Sequence, residues 1–300
     1  MTDLWNPTNG IYTATAPLLP VITNFPSLDI GVWSSALISA GFGAGFGAWM
    51  AGRIARNAKL RDELLSELRA IDVALTLSFS ALNVAGSLKK QFISAICEKH
   101  KSDLEQFEAY KAEKNKNIPF SLNIENLRIQ KITPPISELQ SLIFGSMNVS
   151  PNGVRSLTAL ADSVSCLNNF IDEYNAILEK FKNSELPEGF TSYHFYLGIP
   201  VKGVVNNEYG TSVQGMAVYV NDILFFARKL ADCLTTQGFN VRDRFKKLTG
   251  EKRLIRRLAV IDDEGSLIPP DSDYEGWMRG WEEDSNENAM TSKFWHRKKT

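Results

Sequence analysis

The chain has 300 residues and nearly balanced charge, 33 Lys and Arg against 34 Asp and Glu. That balance argues against a uniformly basic nucleic-acid binder, and three cysteines with three histidines exclude a disulfide framework or a many-ligand metal cluster. At 44% hydrophobic residues it fits neither a chain disordered throughout nor a multi-span transporter.

Residues 1–29 hold Pro7, Pro17, Pro20 and Pro26 with only two charges, Asp3 and Asp29, and are expected to form a short irregular non-cytoplasmic tail. From Ile30 to Gly52 run 23 residues without a charge, IGVWSSALISAGFGAGFGAWMAG. An α-helix needs roughly 20 such residues to cross about 30 Å of hydrocarbon. Trp33 and Trp49 fall about 24 Å apart on such a helix, one for each interface. Arg53, Arg56, Lys59 and Arg61 follow at once, whereas residues 1–52 contain no Lys or Arg. The positive-inside rule then predicts the N-terminus outside and everything after Arg53 in the cytoplasm. A cleaved signal peptide is disfavoured because no basic n-region precedes the apolar stretch.

Gly43, Gly45 and Ala48, with Glu63 beyond them, also satisfy a dinucleotide fingerprint. The glycine pattern continues through Gly41 and Gly47, however, and no strand follows to present the acid. A buried core helix is the serious competitor, because Gly and Ser temper the apolar character. Gly41, Gly43, Gly45, Gly47, Ala44 and Ala48 lie along neighbouring helical rows at four-residue spacing. Small residues so placed let helices approach closely in lipid, so homo-oligomer formation through the span is expected. The bland alternative is that glycine is common in membrane helices.

Leu64, Leu68, Ile71, Leu75, Phe79 and Leu82 then recur at helical steps, extending a helix to about residue 114 with an irregularity at Gly86. Val73–Leu88 is also free of charge; sixteen residues suit a buried helix better than a crossing, but insertion would make a membrane hairpin. Phe120, Leu122 and Ile124 alternate with polar residues, as do Leu127 and Ile129, which predicts one or two short strands. A helix is expected over 136–144. Another starts at Pro151, capped by Ser150, with a stripe from Leu157 through Leu167 and Tyr174 to Phe181. A third carries Val213, Met216, Val220, Ile223, Leu230 and Leu234, and Gly238 reads as its stop. These stripes predict a mainly α fold, an antiparallel helical bundle with a minor β element; a coiled coil between protomers is the competing reading. The Gly- and aromatic-rich segment 184–215 is too long for a simple connection.

Cys97 and His100 at i, i+3 are half of a metal site, but no second pair lies nearby, and a buried thiol is the favoured reading. His194 sits among aromatics, and the chain holds no Walker loop, G-x-S-x-G or H-E-x-x-H. No catalytic, cofactor-binding or metal residue is therefore assigned, and no enzyme activity is expected. Eight basic residues, Arg242, Arg244, Lys246, Lys247, Lys252, Arg253, Arg256 and Arg257, face only Asp243 and Glu251. From Asp262 to Glu287 ten acids face Arg279 alone. The basic block is a candidate for an anionic lipid surface, or for pairing with the acidic segment. Nucleic acid is disfavoured, because stacking aromatics are not interleaved with it. Tyr274, Trp277, Met278 and Trp281 sit at helical spacing in DYEGWMRGWEED. They read as a short acidic helix that docks on an unidentified protein partner or on the chain's own surface.

The segments FSALNVAGSLKKQFI (79–93) and ISELQSLIFGSMNVSPNGVRSLTALADSV (136–164) resemble stretches of uncharacterised bacterial proteins with one N-terminal span and a helical cytoplasmic domain. The resemblance rests on helical character and implies an inner (plasma) membrane location, with no activity attached. The expected organisation is a tail (1–29), a transmembrane helix (30–52), a cytoplasmic helical domain (53–260) and an acidic, Trp-containing tail (261–300). The expected role is a membrane-anchored, non-catalytic anchor, sensor or effector acting through protein contacts and self-association. A pore-forming effector with 73–88 inserted is the alternative, and a soluble enzyme the least favoured reading.

Overall fold

No proline interrupts residues 27–118, so nothing in the backbone chemistry forces a helix to stop there. In the computed structural model this stretch forms α1 (Ile30–Leu88), a five-residue π-helical turn (Lys89–Ile93) and α2 (Ser94–Ala112). The structure describes residues 30–113, 120–255 and 267–279, and the side chains of these except 30–48. The irregularity expected at Gly86 falls three residues later, in the π turn. Gly86 itself is buried in regular helix, where a Cβ would lie 3.4 Å from Leu267.

Contacts divide the chain into Met1–Arg56 and Asn57–Thr300. In the first unit the helix begins at Ile30, and at its described end Trp49 is 57% exposed with the Arg53 guanidinium 5.6 Å over its ring. The 1–29 tail and the side chains of Gly41, Gly43, Ala44, Gly45, Gly47 and Ala48 lie outside the described residues.

The second unit is mainly helical. To the C-terminal part of α1 and to α2 it adds α3 (Ile136–Gly145), α4 (Pro151–Asn183), α5 (Ser192–Leu197), α6 (Glu208–Thr249) and α7 (Glu275–Arg279). Ser150 caps α4 as its sequence implies, its hydroxyl accepting from Gly153 N at 3.4 Å. The stripe Leu157, Leu160, Leu167, Ile171 and Tyr174 of α4 meets Val213, Met216, Val220, Ile223 and Leu230 of α6 in one core. The two helices run in opposite directions. Gly153 approaches Cys233, Phe170 stacks on Tyr219, and Lys180 reaches Glu208. Gly215 permits this closeness, since a Cβ there would meet the Phe170 ring at 2.6 Å.

α1 and α2 lie along α6 in the same opposed sense: Glu67 bonds Gln237, Ile71 touches Gly238, and Cys97 approaches Val213. The charge-free run Val73–Leu88 is the middle of this contact. Ala74, Ser78, Ala81 and Ala85 are fully buried there, at helical spacing. Its lack of charge thus has a packing cause. One helix of the described residues, Trp49–Ala112, is long and apolar enough to cross a membrane, and half of its most apolar window is buried inside the fold.

Two expectations are corrected here. Gly238 does not end its helix: α6 continues through buried Val241 and Phe245 to Gly250, which stops it at φ 78°. Gly238 is instead a close-approach point, where a Cβ would lie 2.8 Å from Ile255 and 3.3 Å from Ile71. Nor do strands form over 120–129. A strand needs an edge, and this segment meets the side of α4. There the carboxamides of Asn168 and Asn175 each take one residue's backbone N–H and C=O. Ile132 is held at 3.0 and 2.9 Å, and Ile129 at 3.1 and 2.8 Å.

Candidate functional site

Among the described residues three places bring polar or aromatic groups together, and each follows from the helix registers above. The first is a buried knot where α2 meets α5. Asp103 is 2% exposed; Lys99 Nζ donates to both its oxygens at 2.5 and 2.6 Å, and Tyr196 Oη donates to Oδ2 at 2.6 Å. His100 Nε2 lies 2.9 Å from the Tyr196 carbonyl, and its ring edge meets Tyr196 and Tyr209. Burial pushes the His100 imidazole below its usual range, against the upward pull of that carbonyl and of Asp103. Burial first, then neighbouring tyrosine and carboxylate groups, push Tyr196 and Tyr209 well above the ordinary phenol range. The Asp103 carboxylate is engaged on both oxygens by its own helices, so the knot ties α2 to α5. A cavity of about 50 Å³ beside it is lined by Lys99, Glu125, Tyr174, Tyr196 and Tyr209.

The larger cavity, about 530 Å³, is an open groove between α4 and α6 lined by Glu173, Lys180, Asn207, Glu208, Thr211 and Ser212. Lys180 and Glu208 pair across it at 3.4 Å, and the buried tyrosines do not face it. Cys97 and His100, suggested by spacing as a half-site, have separate partners, Val213 O and Tyr196 O. Burial raises the Cys97 thiol. Among the described residues no group of three or more His, Cys, Asp or Glu side chains is placed to hold a metal ion.

The second place is a strap, residues 267–279, laid across the helices. Lys89 on the π turn donates to the Leu267 carbonyl at 2.7 Å. Arg228 and Lys229 of α6 both pair with Asp271, the lysine at 2.7 Å. Tyr274 stacks on Phe225 with centroids 3.7 Å apart, and its hydroxyl donates to Asp222 at 2.6 Å. Trp277 packs against Phe226 and lies under the Arg155 guanidinium of α4 at 4.5 Å. Of the four docking candidates, Tyr274, Trp277 and Met278 thus pack against the chain's own core; Trp281 lies outside the described residues. Burial raises the Asp222 carboxyl, partly offset by the Tyr274 bond, whereas the Lys229 bond and the Arg228 charge lower Asp271 against slight burial.

The third place is the basic end of α6. Arg242 lies over Phe239 and pairs with Asp243, and Arg253 lies over Phe245 and pairs with Glu251. Arg244, Lys246, Lys247 and Lys252 are exposed, while Arg256 and Arg257 lie outside the described residues. Sequence reasoning missed the asparagine pair on α4. Its signal was there, since Asn168 and Asn175 stand seven apart beside Leu167 and Tyr174, an interval that keeps two residues on one helical face. No family model, curated protein or solved structure matches this chain, so its site is read from its own geometry.

Proposed function

We propose that the chain is a single-span membrane protein with its N-terminus outside and an antiparallel helical bundle in the cytoplasm. It acts without catalysis, through protein contacts and self-association along the Gly41–Ala48 rows. The observation that carries the reading is the end of the charge-free helix. Trp49 is exposed under Arg53, and residues 53–61 are all exposed, so this helical stretch has no protein cover where the interface would fall. The charge asymmetry around residue 52 supports the orientation. The buried knot supports a non-catalytic role, because its carboxylate and lysine are held by structural partners. The pore-forming reading is weaker, because inserting 73–88 would strip Ala74, Leu75, Ala81 and Leu82 from the core. The chain should pellet with membranes and resist carbonate extraction, and Ala44→Lys should release it from that fraction. Full-length protein recovered without detergent in the soluble fraction would refute the reading.

A further inference from the structure

Two basic segments, about 185 residues apart in sequence, meet at one end of the helical body. Because α1 and α6 run oppositely with Ile71 at Gly238 and Glu67 at Gln237, each step along α6 retraces a step back along α1. Lys246 and Lys247 lie about 12–14 Å past Gly238, which brings them level with about residues 58–62 of α1. Lys59 and Arg61 stand there, both exposed. The chain then turns at Gly250 and brings Arg253, Leu254 and Ile255 back beside Leu65, Leu68 and Arg69. Acids lie here too, but they are fewer than the cations: Glu63 faces Lys59, Asp243 faces Arg242, Glu251 faces Arg253, and Asp62 is on α1. Asp72 and Glu67 lie farther back, beside the returning segment and Gln237. Among the described residues Arg61, Arg244, Lys246, Lys247 and Lys252 pair with no carboxylate. Leu254, 92% exposed, lies on the returning segment beside Leu65 and Leu68, set back from this end.

We propose that this end is a headgroup-binding face that seats on anionic phospholipid, with Lys59, Arg61, Arg244, Lys246, Lys247 and Lys252 over phosphates. A cluster of cations that outnumbers the acids around it matches the negative charge of such a surface. The inference rests on the membrane-anchored reading, which supplies the surface: Lys59 follows Gly52 by seven residues, so it lies within about 25 Å of the span's end even if the link were fully extended. Attraction is worth about fivefold per basic residue near an anionic surface, and it holds the body down against the bilayer.

The test uses the full chain in nanodiscs of phosphatidylcholine, and of phosphatidylcholine with about 30% phosphatidylglycerol. Lysines are acylated under limiting reagent and read by mass spectrometry. Lys59, Lys246, Lys247 and Lys252 should react several-fold more slowly in the anionic discs, while Lys101, Lys182 and Lys202 at the far end keep their rates. About 0.5 M salt should remove the difference, since screening is then nearly complete beyond a few ångströms. The triple variant Lys246→Glu, Lys247→Glu, Lys252→Glu should lose the protection of Lys59. Equal rates in both disc types, with the protein incorporated in each, would overturn the headgroup face and leave the anchor standing. Failure to enter either disc would overturn the anchor, and the face with it.

Discussion

Two asparagines do for the 120–134 segment what a neighbouring strand would do. A backbone N–H and C=O removed from water without partners cost about 1–3 kcal/mol each, so the amide of Asn168 protects Ile132 and that of Asn175 protects Ile129. Three residues of extended chain and two helical turns both measure about 10 Å, which is why residues 129 and 132 match residues seven apart on α4. Asn168→Leu and Asn175→Leu are each expected to destabilise the detergent-solubilised protein by about 2 kcal/mol, read as a lower urea midpoint. An unchanged midpoint in both variants would mean that water serves those groups equally well. Asp103 illustrates the complementary case. Its burial is tolerable because Lys99 and Tyr196 satisfy it from two elements.

Among the elements, the strap 267–279 is held by two carboxylates whose titrations have opposite signs. Asp271 is depressed by Lys229 and Arg228, so its contribution is complete above about pH 4 and lost as pH falls through its folded value. Asp222 is raised by burial, so its contribution is complete below about pH 4 and lost as pH rises through its folded value. Asp232, raised by burial next to the same Arg228 and Lys229, follows the sign of Asp222. Asp271→Asn should therefore lower the thermal midpoint at pH 7 and narrow its loss on acidification to below pH 4. Asp222→Asn keeps an acceptor for Tyr274 while removing the buried charge, and should leave the neutral-pH midpoint unchanged or higher. Equal shifts for both variants at pH 7 would contradict the assignment. Helix α6 makes a related point about length: glycine ends a helix only where the left-handed region is needed, as at Gly250, and serves packing where a neighbour crowds in, as at Gly238.

For the molecule as a whole, the membrane reading and the helical body make one joint prediction. Single cysteines at Asn57 and Lys101, in a background lacking Cys97, Cys166 and Cys233, should both be labelled only from the cytoplasmic side of sealed vesicles. Lys101 is chosen because its side chain is 80% exposed, whereas replacing Lys99 would unpair buried Asp103. Labels on opposite sides would establish the hairpin, and would require the core around Ala74 and Leu82 to open in the membrane.

Much of this organisation was legible because it is local. The Ser150–Pro151 start of α4 and the apolar stripes of α4 and α6 each depend on residues a turn or so apart. Such spacing is set by the 3.6-residue repeat and by capping chemistry, which a chain displays before it folds. What only the tertiary structure decided is which faces meet. Spacing alone did not reveal that Gly238 would crowd Ile71, that Asn168 would stand in for a strand, or that Tyr274 would find Phe225 and Asp222. The near-zero net charge is settled the same way. It is a sum of segregated parts, and whether the cations of 244–253 act alone or beside Lys59 and Arg61 follows from the opposed register of α1 and α6, a long-range contact that no local pattern encodes.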